Sequence, residues 1–550
     1  MSFEKRSDWP GFLVHFLFIW SFSGLPQILY LFAGKGRAAD LLATFPLSGF
    51  WLAVALLLPR GRRFALAAIG LTLWAASLVS LGYFGIHGDP ITQSVVFAMF
   101  ESNPEESREF FSQYFNLQLI GALALYSGFV FLFWKRLRPL ALSRRHALPA
   151  CALLLVASVG YPLMQRDYTP EKAQNRINPA MPWQLLTGFH QYHQQLAHMQ
   201  NLLAGKAPPL ANLKDANGDT PRTLVLVIGE STTSRHMSLY GYPRQTSPRL
   251  ETLRAANKGL TVFEDVIAPR PYTIETLQQA LTFAHQEEPR RFLDEPTLIN
   301  LMQQAGYKTF WITNQQTMER DSLLTIFARQ SDEVHYLNRQ FQKNANQVDL
   351  VTLTPFAQAL QDPTPKKFIV VHLLGAHMKY KYRYPKSFDR YQGREHTPPD
   401  LNEEQLAYYN AYDNAVLYND FIVSRLIETF EAGAAHGFLL YFSDHGEEVF
   451  DTAPHQTLGR NEDAPTPGMY KVPFILWTSP SWQATHPRDF RGMTGRKYST
   501  THLIHTWSDL AGLSYDRYQP EWSVTNPEFT AFTRWIGNPD GELKDFDAGQ

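Results

Sequence analysis

Five long apolar segments in the first third of the chain constrain its fold more than any other feature. They are residues 12–32, 41–59, 64–84, 115–134 and 147–163. Each is nearly free of charge and approaches or reaches the roughly 20 apolar residues that a helix needs to cross a bilayer. Five such runs separated by charged loops are improbable as buried helices of a soluble core. Residues 1–165 are therefore predicted to form an α-helical transmembrane domain of five helices.

The charges of the connecting loops predict how these helices are oriented. Basic residues fall on alternate loops, which the positive-inside rule places in the cytoplasm. They are Lys5, Arg6, Arg60, Arg62, Arg63, Lys135, Arg136, Arg138, Arg144 and Arg145. Five crossings then put everything after residue 163 outside, and loop 85–111 is acidic, as an external loop can be. Lys35 and Arg37 run against this pattern, because they fall on the side predicted to be external.

Residues 166–222 are predicted to be a linker, rich in polar residues and proline at both ends. Its middle places Trp183, Leu186, Phe189 and Tyr192 near helical spacing, with His and Gln between them. An amphipathic helix on the outer membrane surface and an ordinary helix packed on the globular domain explain this pattern equally well.

From residue 223 onward, short apolar runs alternate with helical patterns. The predicted strands are residues 223–229, 261–268, 308–313, 368–374, 438–442 and 472–477. The predicted helices are residues 276–284, 297–305, 347–360, 403–430 and 500–510. This alternation predicts an α/β domain over residues 223–550, with an open, mostly parallel sheet covered on both faces. In such sheets ligands bind beyond the carboxyl ends of the strands.

Composition excludes several classes of site. The chain has 50 basic and 51 acidic residues, and no basic patch interleaved with aromatic residues that would indicate nucleic-acid binding. Cys151 is its single cysteine and lies inside an apolar run. A zinc site built from a cysteine cluster and an intrachain disulfide are both excluded. The length of 550 residues exceeds what one core usually serves, so at least two domains are expected.

Acidic and imidazole side chains recur where the predicted strands end. They are Glu230, His372, His377, Asp444, His445 and His455. Singly, each is explained by helix capping or by a hydrogen-bonded buried histidine. Such groups at the tips of at least three separate strands favour a metal site instead. Thr273 follows strand 261–268, just ahead of a predicted helix.

Other polar residues receive weaker interpretations. Asn314, Gln315 and Gln316 follow strand 308–313 and are candidate contacts to a substrate head group. Residues Asn410, Asp413 and Asn414 in helix 403–430 are interpreted as a solvated or capping polar face.

Several motifs, in this order, resemble the membrane-bound phosphoethanolamine transferases that modify lipopolysaccharide, members of the alkaline phosphatase and sulfatase superfamily. The motifs are GESTTSRHMSLYGYPR, RPYTIETL, HLLGAHMKY, NAYDNAVLYNDFI and SDHGEE, with His455 behind the last. Five membrane helices before a periplasmic catalytic domain also resemble this family. The amino-acid sequences of these motifs are most similar to the branch that modifies an inner-core heptose, and less similar to the branch that modifies lipid A phosphates. The resemblance implies an inner-membrane enzyme with phosphatidylethanolamine as donor and lipopolysaccharide as acceptor.

The resemblance also implies roles for single residues. Glu230, Asp444 and His445 match ligands of a catalytic zinc. Thr273 falls where the family has a zinc-bound threonine nucleophile, with Thr276 as the second candidate. Imidazole ligands favour zinc, whereas carboxylate and hydroxyl ligands alone would suit magnesium.

Further matches concern the substrates. His377 and His455 match histidines that bind a second zinc or the substrate phosphate and carry protons, and His372 matches a further active-site histidine. One or two zinc ions are therefore expected. Ser102 and Glu106 fall in a segment that resembles the donor-lipid contacts of the family. The disulfides frequent in that family's periplasmic domain have no counterpart here.

Two other classes of function fit the same sequence. A phosphoglycerol transferase or a sulfatase-like hydrolase would keep the fold and the metal but use another donor or acceptor. A membrane sensor or scaffold would keep the fold without turnover, and the intact set of Glu230, Thr273, Asp444 and His445 argues against it.

Overall fold

The computed structural model divides into two compact units, residues 1–194 and residues 195–550. The structure describes residues 8–58, 62–102, 107–108, 110–111, 114–140, 144–164, 173, 176–204, 207–293, 295–317, 323–339, 347–433, 435–462, 464–539 and 543–548.

The first unit is built from long apolar helices. Their bounds are α1 Trp9–Phe32, α2 Ala38–Leu56, α3 Arg62–His87, α4 Gln93–Glu101, α5 Leu117–Arg136, α6 Arg144–Leu163 and α7 Trp183–Ala204, the last of which runs into the second unit. Within the described residues, five helices, α1, α2, α3, α5 and α6, are long and apolar enough to cross a membrane. The prediction of five such helices is confirmed. Side-chain oxygens of Asp8 and Asn116 cap the first turns of α1 and α5.

The two basic residues that ran against the charge pattern are each paired with a carboxylate. Lys35 Nζ lies 2.7 Å from Asp89 Oδ1, and Asp89 is buried. Arg37 Nε lies 2.9 Å from Asp40 Oδ2. Each of these two basic side chains therefore has a carboxylate partner, and the predicted orientation stays a prediction.

Residues 85–111, which the sequence suggested were a loop, include helix α4. Its aromatic rings pack on the first half of α7, with the Phe100 and Phe189 ring centroids 5.3 Å apart and those of Phe97 and Tyr192 5.9 Å apart. The apolar side of α7 therefore contacts α4 within the first unit. The boundaries proposed for the linker, 166–222, stay a prediction.

The second unit has an α/β architecture. Its helices are α8 Pro248–Ala255, α9 Thr273–Ala280, α10 Leu298–Gln304, α11 Leu323–Arg329, α12 Leu353–Gln361, α13 Glu403–Ala432, α14 Pro467–Tyr470, α15 Pro480–Thr485 and α16 Leu503–Ala511. Its strands are β1 Lys214–Asp215, β2 Arg222–Gly229, β3 Leu260–Phe263, β4 Val266–Ile267, β5 Lys308–Thr317, β6 Glu333–Arg339, β7 Lys366–His372, β8 Gly437–Ser443, β9 Glu448–Val449, β10 Leu458–Gly459, β11 Phe474–Thr478, β12 Tyr498–Ser499, β13 Leu513–Ser514, β14 Trp535–Ile536 and β15 Lys544–Asp545.

A seven-stranded sheet in the order β3-β11-β8-β2-β7-β5-β6 forms the centre of this unit. Strand β11 is antiparallel to both neighbours, and the other pairings are parallel, so the predicted mostly parallel sheet is confirmed. Side chains of β2, β5, β7 and β8 form a core with α13 on one face. On the other face, the Trp507 ring of α16 packs on Phe368 and Phe438. Helices therefore cover both faces, as the near-continuous apolar strands require.

The register of the strands places the candidate site residues at the same edge of the sheet. Gly229 of β2 lies opposite Ser443 of β8, so Glu230 and Asp444 leave neighbouring strands side by side. On the other side of β2, the chain after β7 turns through Gly375 at a φ of +54°. A Cβ on Gly375 would lie 2.5 Å from the Glu230 carbonyl oxygen, so this close approach requires glycine.

Candidate functional site

Three side chains converge beyond the carboxyl ends of β2 and β8. Glu230, Asp444 and His445 each offer one ligand atom, and these atoms all lie within 4.8 Å of one another. His445 Nε2 is 3.1 Å from Glu230 Oε1 and 3.5 Å from Asp444 Oδ2. All three residues are at most 1% exposed. The structure thus brings together the three residues that the sequence placed around a metal, and we call them the Glu230 cluster.

Hydrogen bonds at the back of these side chains orient their free atoms towards one another. His445 Nδ1 lies 2.7 Å from the Gly446 carbonyl oxygen and donates to it, which leaves the Nε2 lone pair facing the cluster. Asp444 Oδ1 accepts from the backbone N–H groups of His445 and Ser231. Gly446 is needed for space, because a Cβ there would lie 2.1 Å from the Gly468 carbonyl oxygen.

Thr273 is the fourth member of the site. It is the first residue of α9, three residues earlier than the predicted helix start at residue 276. Its Oγ1 donates to Glu230 Oε2 at 3.1 Å and lies 3.4 Å from His445 Nε2. The hydroxyl of Thr276 instead donates to the Arg270 carbonyl oxygen at 2.9 Å and is fully buried. The geometry therefore favours Thr273 over Thr276.

Burial and mutual repulsion make the cluster electrostatically unusual. Burial, together with the charge of Glu230, raises the pKa of Asp444 to about 7. Burial would also raise the pKa of Glu230, but His445, His377 and Arg460 outweigh it and hold that pKa well below its ordinary value. Two carboxyl groups thus share a dry site with one imidazole.

This arrangement fits a divalent cation. Asp444 Oδ2 is buried and, among the described residues, accepts no hydrogen bond. A buried carboxylate oxygen without a partner costs on the order of 1–3 kcal/mol, which a bound cation offsets. One imidazole nitrogen, two carboxylates and an adjacent hydroxyl form a donor set that zinc accepts.

The other predicted histidines lie outside the Glu230 cluster. His372 is 1% exposed, and neither ring nitrogen has a hydrogen-bond partner in the described part of the chain. Burial lowers the pKa of His372 to about 4 and that of His377 to about 3, with Glu230 opposing both shifts. His455 Nδ1 lies 2.8 Å from the Phe450 carbonyl oxygen. The roles of these three histidines stay predictions.

Gln315, one of the three head-group candidates, contacts the cluster instead. Its Nε2 donates to Glu230 Oε2 at 3.3 Å and to the Leu373 carbonyl oxygen at 2.6 Å. Gln315 therefore holds Glu230 in place from β5.

Sequence reasoning missed Arg460 and Glu447. Arg460 Nη1 lies 2.6 Å from His445 Nε2, and Arg460 Nε lies 3.5 Å from Glu447 Oε2. Arg460 is brought back to the site by the short antiparallel pairing of β9 with β10. The sequence gives little indication that either residue belongs to the site. Glu447 is part of the SDHGEE motif, while Arg460 follows a glycine in a polar stretch.

The donor-lipid candidates lie in the first unit or outside the described residues. Ser102 ends α4, and its Oγ donates to the Ala98 carbonyl oxygen at 2.7 Å. Glu106 lies outside the described residues. Both assignments stay predictions.

Comparison with known proteins gives consistent results. Residues 222–513 match the sulfatase family. Phosphoethanolamine transferase EptC of Escherichia coli strain K12 is 50% identical over 544 residues, which cover 97% of this chain and 94% of that protein.

Two solved structures are similar. The C-terminal periplasmic domain of E. coli EptC in complex with Zn is 60% identical, with a TM-score of 0.61, and covers 62% of this chain and 97% of that one. The integral membrane protein lipooligosaccharide phosphoethanolamine transferase A of Neisseria meningitidis is 18% identical, with a TM-score of 0.65, and covers 94% of this chain and 98% of that one. At that identity the second likeness concerns the fold alone.

Proposed function

Because this chain belongs to the sulfatase family, among its phosphoethanolamine transferases, we propose that it moves phosphoethanolamine from phosphatidylethanolamine to lipopolysaccharide. A heptose of the inner core is the favoured acceptor, and a lipid A phosphate is the second. The observation that carries the proposal is the Thr273 hydroxyl, which lies 3.1 Å from Glu230 Oε2 and 3.4 Å from His445 Nε2.

Glu230, Asp444, His445 and Thr273 would hold a catalytic zinc. Bound there, the ion supplies the positive charge that stabilises the deprotonated Thr273 hydroxyl, which is otherwise a poor nucleophile. The partnerless Oδ2 of Asp444 supports this assignment, as does the Zn complex of the 60% identical periplasmic domain. His372, His377 and His455 are proposed to bind a second zinc or the substrate phosphate.

Transfer then takes two displacements at phosphorus. Thr273 Oγ attacks the phosphorus of phosphatidylethanolamine, the bond from phosphorus to the diacylglycerol oxygen breaks, and phosphoethanolamine remains on Thr273. A hydroxyl of the acceptor attacks this intermediate and releases Thr273. Helix α9 starts at Thr273, and its N-terminal dipole favours the anionic group there by about 0.3–1 kcal/mol.

A histidine is proposed to carry the proton. It protonates the departing diacylglycerol alkoxide and later takes a proton from the acceptor hydroxyl. His377 and His455 are the two candidates. Burial lowers the pKa of His377 to about 3, and both histidines stay candidates for this role.

The membrane helices suit this chemistry. Donor lipid and lipid-linked acceptor both present their head groups at one membrane surface, so anchoring raises the effective concentration of each. We place the protein in the bacterial inner membrane with residues 223–550 in the periplasm. Ser102 and Glu106 are proposed donor-lipid contacts.

Mass spectrometry of lipopolysaccharide tests the proposal. Core and lipid A fragments are compared from cells with and without the protein, and purified full-length protein is given fluorescent phosphatidylethanolamine and purified lipopolysaccharide. We expect one phosphoethanolamine added to the core and fluorescent diacylglycerol released. Free phosphoethanolamine without modified lipopolysaccharide would identify a hydrolase, and added glycerol phosphate would identify a phosphoglycerol transferase.

A further inference from the structure

We propose that Arg460 is a further catalytic residue, whose guanidinium binds a non-bridging oxygen of the phosphoryl group as it passes to and from Thr273. This inference rests on the proposed function. It concerns a side chain that neither the ligand set nor the nucleophile includes.

The guanidinium and the nucleophile flank the same atom. Arg460 Nη1 is 2.6 Å from His445 Nε2, and Thr273 Oγ1 is 3.4 Å from that nitrogen. A phosphorus atom bonded to Thr273 Oγ carries its non-bridging oxygens one bond further out. An N–H donor at the position of Arg460 Nη1 is within reach of such an oxygen.

Most of the hydrogen-bonding capacity of Arg460 remains unused. A guanidinium has five N–H donors, and within the described residues that of Arg460 makes one hydrogen bond, to His445 Nε2, whose lone pair a zinc ion would take instead. Its side chain is 17% exposed, so part of it is accessible to a ligand. Arg270 shows the contrasting case, because its Nε and Nη2 both bond to Glu462, at 2.5 and 2.9 Å.

Backbone geometry and one carboxylate hold Arg460 in place. Gly459 precedes it with a φ of +89°, a conformation that favours glycine, and pairs with Glu448 across the β9–β10 ladder. Glu447 Oε2 lies 3.5 Å from Arg460 Nε, and the Tyr380 hydroxyl donates to Glu447 Oε1 at 2.8 Å. Glu447 is therefore a positioning residue for the guanidinium.

A fixed cation here acts on the charge of the transition state. Negative charge on the phosphoryl oxygens is redistributed as the bond to the leaving oxygen breaks, and a preoriented guanidinium stabilises it at no reorganisation cost. A purely structural role is the competing explanation, in which Arg460 neutralises Glu230 and Asp444. That role would show itself in zinc content and thermal stability rather than in phosphoryl recognition.

Orthovanadate binding separates the two roles. It mimics the five-coordinate phosphoryl group, and its binding to zinc-loaded full-length protein is measured by calorimetry alongside zinc content, melting temperature, kcat and KM. The variants are Arg460→Gln, Arg460→Lys and the control Arg491→Gln, whose exposed side chain pairs with Asp489. Arg491 matches Arg460 in charge but contacts no residue of the site.

In zinc-loaded Arg460→Gln we expect vanadate binding about tenfold weaker or more and kcat about 100-fold lower. Arg460→Lys should recover part of both losses, and Arg491→Gln should match the unaltered protein. Vanadate affinity in Arg460→Gln equal to that of the unaltered protein overturns the proposal. Loss of zinc or of thermal stability in Arg460→Gln, with normal vanadate affinity in its zinc-loaded fraction, also overturns it.

If Arg460→Gln does not fold, Arg460→Lys carries the test. Lysine keeps the charge but loses the planar fork, so unchanged kcat and unchanged vanadate affinity in this variant contradict the proposal. Failure of the proposed function looks different, since the unaltered protein would then transfer no phosphoethanolamine to lipopolysaccharide, whatever its affinity for vanadate.

Discussion

Two polar clusters in the second unit contain residues that are near one another in sequence. They differ in how many of their polar atoms have hydrogen-bond partners. The Glu230 cluster leaves Asp444 Oδ2 without a hydrogen-bond partner among the described residues. The second, which we call the His236 network, consists of His236, Tyr242, Arg244, Asp413 and Asp451. In it His236 Nδ1 lies 2.6 Å from Asp413 Oδ1, and His236 Nε2 lies 2.9 Å from Asp451 Oδ2.

The remaining members complete the His236 network. Arg244 Nη1 and the Tyr242 hydroxyl both donate to Asp413 Oδ2, at 2.7 and 2.9 Å. Two cations face two carboxylates, so the buried charges balance. His236 follows the Glu230 strand and Asp451 follows the His445 loop, and both are tied to α13 through Asp413.

Completeness of hydrogen bonding, rather than burial, separates the functional cluster from the structural one. Most side chains of both clusters are buried, so burial alone does not distinguish the clusters. A balanced, fully bonded set has nothing to gain from a ligand and holds loops together. A set with excess carboxylate and a free oxygen gains from binding a cation.

The largest expected effect comes from substituting the nucleophile, Thr273. Thr273→Ala removes the hydroxyl beside the Glu230 cluster and should lower transfer by about 10⁴-fold or more, because no covalent intermediate can form. Gel fluorescence of the protein after incubation with donor lipid labelled on its ethanolamine measures that intermediate. Thr276→Ser, which keeps the hydroxyl, is the matched control and should label normally. Persistent labelling of Thr273→Ala would discard the nucleophile assignment.

The second effect compares one carboxylate from each cluster. Asp444→Asn should lose zinc without loss of stability in the zinc-free protein, because a repelling buried carboxylate is removed. Asp413→Asn should keep zinc but lower the free energy of unfolding by about 3–5 kcal/mol, because Arg244 and His236 lose their shared partner. Elemental analysis and thermal unfolding measure the two properties. The same phenotype in both variants would refute the distinction.

Strand ends placed Glu230, Asp444 and His445 among six candidate residues at one edge of the sheet, and the motif resemblance selected these three as metal ligands. The apolar runs stop at Gly229 and at Ser443, and parallel strands deliver the next residues to the same edge. Thr273 was placed ahead of a helix predicted to start at residue 276, whereas α9 begins at Thr273 itself. The nucleophile therefore followed from the motif resemblance more than from helical periodicity.

Other features depend on partners far away in the sequence and were missed. Strand β6, Glu333–Arg339, was not predicted, because its polar residues suit an edge strand and hide the apolar pattern. The prediction of a solvated or capping face at Asn410, Asp413 and Asn414 was wrong about exposure, since Asp413 and Asn414 are fully buried. Their partners, such as Arg244, come from loops that periodicity does not locate.

A third, smaller effect is the dependence of stability on pH, which we expect from the His236 network alone. Burial lowers the pKa of His236, but Asp451 and Asp413 outweigh it and raise the pKa to about 10, against 6.5 ordinarily. A raised pKa contributes stability that is complete below pH 6.5 and is lost as the pH rises towards 10. The loss is at most about 1.4 kcal/mol per pH unit.

Thermal unfolding of full-length protein between pH 7.5 and 9.5 measures this loss of stability. The range lies above about pH 7, so that Asp444 and Asp420 do not titrate within it. His236→Gln should remove the decline of stability across that range. His335→Gln, at a half-exposed histidine, should keep it. A decline of equal slope in His236→Gln would show that another group is responsible.

The smallest expected effect concerns two tyrosine hydroxyls, one that bonds to Glu447 and one in the His236 network. Tyr380 donates to Glu447 Oε1 at 2.8 Å and Tyr242 donates to Asp413 Oδ2 at 2.9 Å, so the two bonds are alike in length and in the charge of the acceptor. Tyr380→Phe and Tyr242→Phe should each lower the free energy of unfolding by about 1–3 kcal/mol. The melting temperature measures this loss.

Catalysis should separate the two phenylalanine variants although stability does not. Loosening Glu447 loosens Arg460, so Tyr380→Phe should lower kcat a few-fold, while Tyr242→Phe should leave kcat unchanged because the His236 network touches neither Thr273 nor the phosphoryl group. Steady-state transfer assays at a temperature where both variants are folded measure the difference. Equal kcat values would mean that a hydrogen bond to Glu447 has no influence on the guanidinium, and Glu447 would then belong with Asp413 as a purely structural carboxylate.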